Sequence, residues 1–530
     1  MDKASIYFIR ITKGCMVVSF RLKHHKPSSQ IHVKIIEQNT TSEYKIEPIS
    51  QCSYEFEYHI NTDYLVFQIN CVIDNESIPF QFNYEYHSPV SDNIMHSYAF
   101  IDNYIIKCDS YSIYVKKAKK TDSLFCEAKF QIQLLFHSKF RILDILKRSL
   151  VLFLKKIKSK RIILFYDRIN NGNDNAEFLF DYLNVNRKGN HLFNSFFLVD
   201  KEKYEDYKDT VRFFSKKEKL LFLICDIKIS SHAAHYTSFL FENKIDLYRD
   251  LISEQKFVYL QHGIIKDEMS DWLNRFRRNI YSIIVSSEYE RALLLNKRYL
   301  YNTESIWLTG MPRYDMLKPY SNNKRILVAF TWRKYLMSED FDRVGNRIIN
   351  NDFKKSKYYK KLIELLYSSK TNELMNKYKY QILFKLHPMF KSIQSFFSET
   401  DIIKIDFSDE YIDSINNSDL LITDYSSISF DFAYVYKPVL YYQFDYEEFY
   451  SGKHTYRQGA YDYESMGFGK VVSSFEKLLS ELEVLIENSA KMEKKYIDRV
   501  NSFFRYNDCN NCKRITDYLF KHGFNDKTKS

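Results

Sequence analysis

Residues 419–450 read DLLITDYSSISFDFAYVYKPVLYYQFDYEEFY, and the fold of the second half of the chain follows from them. Leu420-Leu421-Ile422-Thr423 is an apolar run of buried-strand length. Asp424-Tyr425-Ser426-Ser427 interrupts it, and an apolar segment of helix length runs from Ile428 to Tyr436. Pro438 stops that segment before a second strand-like run, Val439 to Gln443. Strand, serine-bearing turn and helix together make a place for an anion. The hydroxyls of Ser426 and Ser427 can cap the helix, whose free N–H groups and positive dipole end face an incoming phosphate. The plain alternative is a cap that only joins strand to helix, and the surrounding sequence decides between the two.

Working outward, apolar runs at 325–330, 380–385 and 402–405 join those at 420–423 and 439–443 as the strands of one α/β block. Before it, runs at 162–166, 195–199, 227–231, 257–260, 282–286 and 305–308 alternate with other segments, among them a helix near 175–183, and an apolar stretch at 220–225 leads into the 227–231 run. Such alternation predicts parallel sheets with crossover helices, and two adjacent doubly wound blocks predict a cleft between them. Residues 1–135 differ. Short β-branched or aromatic runs at 6–11, 16–22, 31–36 and 64–69 predict an antiparallel, all-β sandwich-like domain of about seven to nine strands. The expected division is therefore 1–135, a β-rich accessory domain; 136–318, the first α/β domain; and 319–530, the second with C-terminal helices. Residues 138–161, SKFRILDILKRSLVLFLKKIKSKR, form a basic amphipathic helix that suits either an anionic lipid surface or packing on a neighbouring domain.

At 530 residues, 45% hydrophobic and 27% charged, the chain has the composition of a globular protein. A formal net charge of +11 favours an anionic partner, such as a phosphorylated substrate or an acidic membrane surface. Lysines interspersed with Asp and Glu, and no aromatic–basic motif, speak against nucleic acid and against a purely binding role. The start MDKASIYFIR lacks a signal-peptide core, and no run of about 18 apolar residues spans a bilayer, which predicts a cytoplasmic chain, peripheral on the inner face of the membrane. Five of the eight cysteines lie in the first 126 residues, and Cys509-x-x-Cys512 has no second pair to complete a zinc site, so reduced structural thiols are expected.

Four clusters stand where runs end, the ligand-binding edge of such sheets. His262-Gly263 follows the 257–260 run; a histidine there can serve as general base, and glycine admits a close approach to the backbone. Gly310-Met311-Pro312-Arg313-Tyr314-Asp315 is a turn whose arginine can fork onto phosphate or pair with Asp315. Thr331-Trp332-Arg333 offers a hydroxyl, an aromatic face and a guanidinium, and His387-Pro388 places a second histidine at a strand end.

In this order, with Asp424-Tyr425-Ser426-Ser427, Phe430-Asp431 and Arg457-Gln458-Gly459-x-Tyr461-Asp462, these motifs resemble those of the CDP-glycerol glycerophosphotransferase family, the teichoic acid primases and polymerases. The resemblance runs from about residue 160 to about residue 500. It departs where Ile264-Ile265-Lys266-Asp267 replaces a Thr-Pro that many members carry, and where Gln458 splits an Arg-Gly pair. It implies a GT-B-like pair of Rossmann-like domains. The implied reaction moves a polyol phosphate, glycerol phosphate foremost, from a CDP-activated donor to a hydroxyl of a growing teichoic-acid-like or capsular polymer, releasing CMP. The acceptor would be a lipid-linked polyanion. By that resemblance His262 is the base and His387 binds or protonates the leaving phosphate. Arg313, Thr331, Arg333, Ser426, Ser427 and Asp431 would bind donor and phosphate, and Gly263, Asp315, Asp424 and Arg457 would make further substrate contacts. No cofactor and no metal site are expected, although Mg²⁺ dependence is compatible with the chemistry. The competing reading is a GT-B glycosyltransferase using a nucleotide sugar in cell-surface polysaccharide synthesis.

Overall fold

A computed structural model describes residues 3–23, 30–37, 40–48, 53–73, 76–85, 87–137, 139–168, 174–186, 192–199, 209–233, 241–319, 323–341, 347–408, 410–452 and 457–523. Ser138, residues 320–322 at the expected boundary between the two α/β domains, and Cys52 fall outside them.

The N-terminal region is a two-sheet β structure, as its short aromatic and β-branched runs require. One sheet runs Ser53–His59, Cys15–Lys23, Lys3–Thr12, Gln81–Tyr84. The other runs Thr40–Ile46, Gln30–Glu37, Tyr64–Ile73, Ile113–Lys117, Tyr104–Cys108, Tyr98–Ile101, with Glu76–Pro79 also on Tyr64–Ile73. Alternate side chains from both, among them Ile6, Phe20, Val33, Phe67 and Val115, close one core. Three expectations need correction. The strands exceed the expected number, and one pair, Lys3–Thr12 with Gln81–Tyr84, is parallel rather than antiparallel. The β region also ends before residue 135, because Lys120–Phe136 is a helix that buries Cys126, Phe130 and Leu134, spaced i, i+4, i+8, on one face.

A second helix, Ile142–Ile157, follows within the expected basic segment. It packs inward through Asp144, Ile145, Arg148 and Val151. Arg148, 1% exposed, is held by Glu127 at 2.6 Å and Asp250 at 2.8 Å, tying the helix pair to the first α/β domain. The packing alternative therefore accounts for only one stripe of this helix; Ile142, Leu143, Leu146, Leu150, Phe153 and Ile157 all face solvent.

Both α/β units are built as the alternation predicts. The first has seven parallel strands in the order Thr210–Arg212, Phe193–Val199, Arg161–Tyr166, Ile227–Ser230, Lys256–Tyr259, Ser282–Val285, Ile306–Leu308. The second has six, Ile403–Asp406, Gln381–Lys385, Arg325–Ala329, Leu420–Thr423, Val439–Tyr442, Gly469–Val472, again all parallel. This is the expected GT-B-like pair of doubly wound sheets. The chain ends by recrossing. Val500 and Phe503 of helix Lys494–Phe503, and Cys512 and Ile515 of helix Asn511–Tyr518, share a core with Ile163 and Phe180 of the first unit. The C-terminal helices thus belong to both halves, not to the second alone.

Candidate functional site

The strands of both sheets end toward a common cleft of about 340 Å³, walled by His262 and Gly263 from the first unit and by Thr331, His387, Ser426 and Ser427 from the second. The structure therefore brings together residues separated by up to 165 positions in the sequence.

His262 opens onto the cleft two residues beyond Leu260, the last apolar residue of its run. The protein packed around its ring, and then the nearby Arg168 guanidinium, lower its pKa to about 4, while a main-chain hydrogen bond to Ser231 pulls the other way. The ring is therefore neutral at neutral pH. One nitrogen engages Ser231 and the Tyr259 hydroxyl lies 3.4 Å from Nδ1, which fixes the ring's orientation. A neutral, oriented imidazole is what a general base requires.

His387 begins the helical turn after strand Gln381–Lys385, and its Nδ1 accepts from the Met389 amide at 3.2 Å. In the neutral ring that leaves the proton on Nε2, a donor suited to a phosphate oxygen. Trp332 lies 6.4 Å from it, ring to ring, at 29°.

Ser426 and Ser427 precede a helix that spans Ile428–Tyr434, shorter than the run read from sequence. The expected hydroxyl capping is slight. Ser427 makes no side-chain cap, and Ser426 Oγ accepts from the Ile428 amide at 3.4 Å. Ser427 instead lies against the histidine turn: a Cβ on Gly263 would fall 2.5 Å from Ser427 Oγ. Glycine at 263 thus admits the neighbouring domain, not only a substrate.

The motif arginines do other work than expected. Arg333 is wholly buried, paired with Asp424 and Asp445 at 2.8 Å each. Burial opposes its charge, but the two carboxylates more than offset this and hold its pKa well above the ordinary value. It cannot reach a phosphate, and Asp424, equally buried, cannot reach a substrate; that carboxylate also accepts from the Thr331 and Tyr425 amides. Arg313 forks onto Asp431, at 2.7 and 3.0 Å, and its Nη1 donates to the His262 carbonyl at 2.7 Å. With Asp174 at 3.5 Å it is a clamp between the domains, and both Asp431 oxygens are spent on it. Asp315 accepts from the Asn511 and Cys512 amides and anchors the last helix. Arg457 pairs with Asp271 of the first domain, outside the cleft wall. Arg313, Arg333, Asp424, Asp431 and Asp315, all expected to contact ligand, are each engaged by an oppositely charged or N–H partner within the protein.

Sequence reading missed several residues. Gln261 holds φ +59°, a left-handed backbone that a side-chain-bearing residue adopts only under constraint. Asn175 supplies part of it, donating to the Gln261 carbonyl at 2.9 Å while accepting from the Arg313 amide at 2.9 Å. Glu290 supplies the rest. Fully buried, it accepts from the Ile265 amide at 3.1 Å, the Ser286 amide at 2.9 Å and Gln261 Nε2 at 3.4 Å. Burial pushes its carboxyl up to about 7. Arg168 and His232 also stand at this end of the sheet. His232, like His262, stands just past the end of a buried strand, a signal that was present in Ser230-Ser231-His232. Cys509 and Cys512 are free thiols, exposed and buried respectively. Among the described residues, the one group of three metal-type ligands within 4.8 Å of one another, Cys15, Glu57 and His59, lies on the N-terminal sandwich.

Comparison with known proteins agrees with the geometry. Residues 147–521 match the family described as CDP-Glycerol:Poly(glycerophosphate) glycerophosphotransferase. The minor teichoic acid biosynthesis protein GgaB of Bacillus subtilis (strain 168) is 35% identical over 368 residues, 68% of this chain and 40% of its own length. The teichoic acid ribitol-phosphate polymerase TarK of Staphylococcus aureus (strain NCTC 8325 / PS 47) is 32% identical over 142 residues, 26% of each chain. This chain thus spans less than half the length of these relatives. The structure of the wall teichoic acid polymerase TagF superposes with a TM-score of 0.52 at 16% identity, covering 76% of this chain and 98% of that one, which establishes the shared fold. With more than two thirds of its length matched, the chain belongs to the CDP-glycerol:poly(glycerophosphate) glycerophosphotransferase family.

Proposed function

We propose that this protein transfers a polyol phosphate, glycerol phosphate foremost, from a CDP-activated donor to a hydroxyl of a growing teichoic-acid-like polymer. The observation that carries the reading is the neutral His262 facing His387 and Ser426 across one cleft. The acceptor hydroxyl attacks the phosphorus bearing the polyol, its proton passes to His262, and the phosphoanhydride bond breaks to release CMP. His387 Nε2–H, with the Ser426 hydroxyl, stabilises the charge that builds on the phosphate oxygens. Alignment and charge stabilisation supply most of the acceleration in such transfers, which suits a site of imidazoles and hydroxyls. Incubation with CDP-glycerol, CDP-ribitol and UDP-sugars in the presence of polymer tests it. CMP release from a CDP-polyol supports the reading, and UDP release from a sugar nucleotide replaces it with a glycosyltransferase.

The acceptor is read as lipid-linked, and the enzyme as peripheral on the membrane. Helices Lys120–Phe136 and Ile142–Ile157 turn eleven large apolar side chains to solvent, from Leu150 at 50% exposed to Phe136 at 86%. Lys139, Arg141, Lys147, Lys155 and Lys156 accompany them. Apolar side chains among basic ones suit the interface of an anionic bilayer. Among the described residues no helix is long and apolar enough to cross a membrane. Cosedimentation with phosphatidylglycerol vesicles that is lost in Leu146→Glu/Phe153→Glu supports surface binding; retention in the variant refutes this face as its source.

A further inference from the structure

The family motifs supply two arginines near the cleft, and both are saturated by carboxylates, so the cation that meets a phosphate must come from elsewhere. Lys266 also lines the cleft, but it is paired with Asp267. The remaining cationic side chain among the described lining residues is Arg168. We propose that Arg168 is the guanidinium that receives a phosphate oxygen in the cleft, and that His232 is the residue that positions it. This rests on the polyol-phosphate reading above.

The placement follows from strand register. Tyr166, Ser230 and Tyr259 pair across three adjacent parallel strands. Arg168 lies two residues past the first, His232 two past the second and His262 three past the third, so the side chains emerge side by side at one end of the sheet. Arg168 Nε donates to His232 Nε2. An imidazole nitrogen that accepts in this way carries no proton, so His232 is neutral, with its proton on Nδ1. Burial first, then the charge on Arg168, drive its pKa down to about 2, in keeping with that assignment. The His232 amide donates to Ser230 Oγ at 2.9 Å, which fixes the turn. Its ring lies parallel to that of His262, 5.4 Å between centroids and 5° between planes. Nε is thus committed to His232, and no carboxylate pairs with the terminal nitrogens of Arg168 among the described residues. That is the inverse of Arg313 and Arg333, whose forks are closed on acids. A planar fork of two free N–H-bearing nitrogens, beside the base and open to the cleft, fits two oxygens of one phosphate.

Both the donor diphosphate and a phosphodiester of the acceptor polymer offer such oxygens, and steady-state kinetics on the full chain separate them. Arg168→Gln is expected to lower kcat/KM about 100-fold, the scale of losing a bidentate charge-assisted contact made to a reacting group. Arg168→Lys is expected to recover only part, because an ammonium restores the charge and not the fork. An effect confined to the donor's kcat/KM assigns the diphosphate, and one confined to the acceptor's assigns the phosphodiester. His232→Ala is expected to cost about tenfold alone and nothing further in the Arg168→Gln background, as for residues that act as one unit. Values of kcat/KM within threefold of the parent for both substrates in Arg168→Gln overturn the proposal, as do independent effects of the two substitutions. Should the parent release UDP from a sugar nucleotide instead of CMP, the polyol reading fails, and the same substitutions measured on that donor still decide the role of Arg168.

Discussion

The seam between the two α/β domains and the cleft it borders are built from the same short motifs, yet they use opposite chemistry. At the seam, among the described residues, polar groups are paired across the domains: Arg313 on Asp431, Arg457 on Asp271, and the Tyr450 hydroxyl on Asp267 at 3.3 Å. Glycines let the backbones touch; a Cβ on Gly459 would lie 2.3 Å from the Lys266 carbonyl, as one on Gly263 would strike Ser427. In the cleft His262 and His387 line the open space, and the terminal nitrogens of Arg168 meet no carboxylate among the described residues. A motif arginine beside a phosphate-binding cleft is therefore no evidence of phosphate contact until its carboxylate partners are counted. On the proposed reading, saturated pairs set the spacing of the domains and the cleft groups carry the reaction.

The contrast can be broken first at Arg333. Arg333→Ala leaves Asp424 and Asp445 buried without a cation, which should cost about 3–5 kcal/mol of stability in denaturant unfolding. A loss under about 1 kcal/mol would mean that this triad is not a strut. Next is Glu290, fully buried behind the histidine turn. Its folded pKa of about 7 lies above the ordinary carboxylate value of 4.5. Between those values the folded state holds the proton more tightly than the unfolded one, so this group's contribution is fully present below pH 4.5 and is lost as pH rises through 7. Relative to Glu290→Gln, the parent should lose on the order of 3 kcal/mol across that window, and a gap that does not change with pH contradicts the burial. A smaller effect belongs to Gly263→Val, which drives a branched side chain into Ser427 and should cost about 1–3 kcal/mol through overpacking. Ser427→Gly should return part of that loss, and strict additivity of the two would show that the contact is not made.

Much of this was legible in the sequence. Apolar runs of four to six residues ending in polar or glycine-rich turns placed nearly every strand of both sheets, and His262, His387, Thr331, Ser426 and Ser427 do meet in one cleft. What was not legible is pairing at a distance. Asp431 lies 118 residues from Arg313 and Asp445 lies 112 from Arg333, and no local pattern reveals that their charges cancel. The helix Lys120–Phe136 was hidden differently. Its buried stripe is only three residues wide, and its outward Leu124, Phe125, Ile132, Leu135 and Phe136 blur the helical period toward the density of a strand. The recrossing of the last helix rests on Asp315, whose two oxygens hold the Asn511 and Cys512 amides; in sequence it reads as part of a ligand-binding turn.

The division of labour between seam and cleft rests finally on His262, the one motif residue placed in the reaction as a base. The decisive measurement is single-turnover CMP release from the CDP-polyol by His262→Ala, alongside CDP binding and the thermal midpoint of the same variant. The account predicts a rate lower by a factor of about 10² or more, with binding and midpoint near those of the parent. Release at a rate close to the parent's would remove His262 from the chemistry and contradict the account.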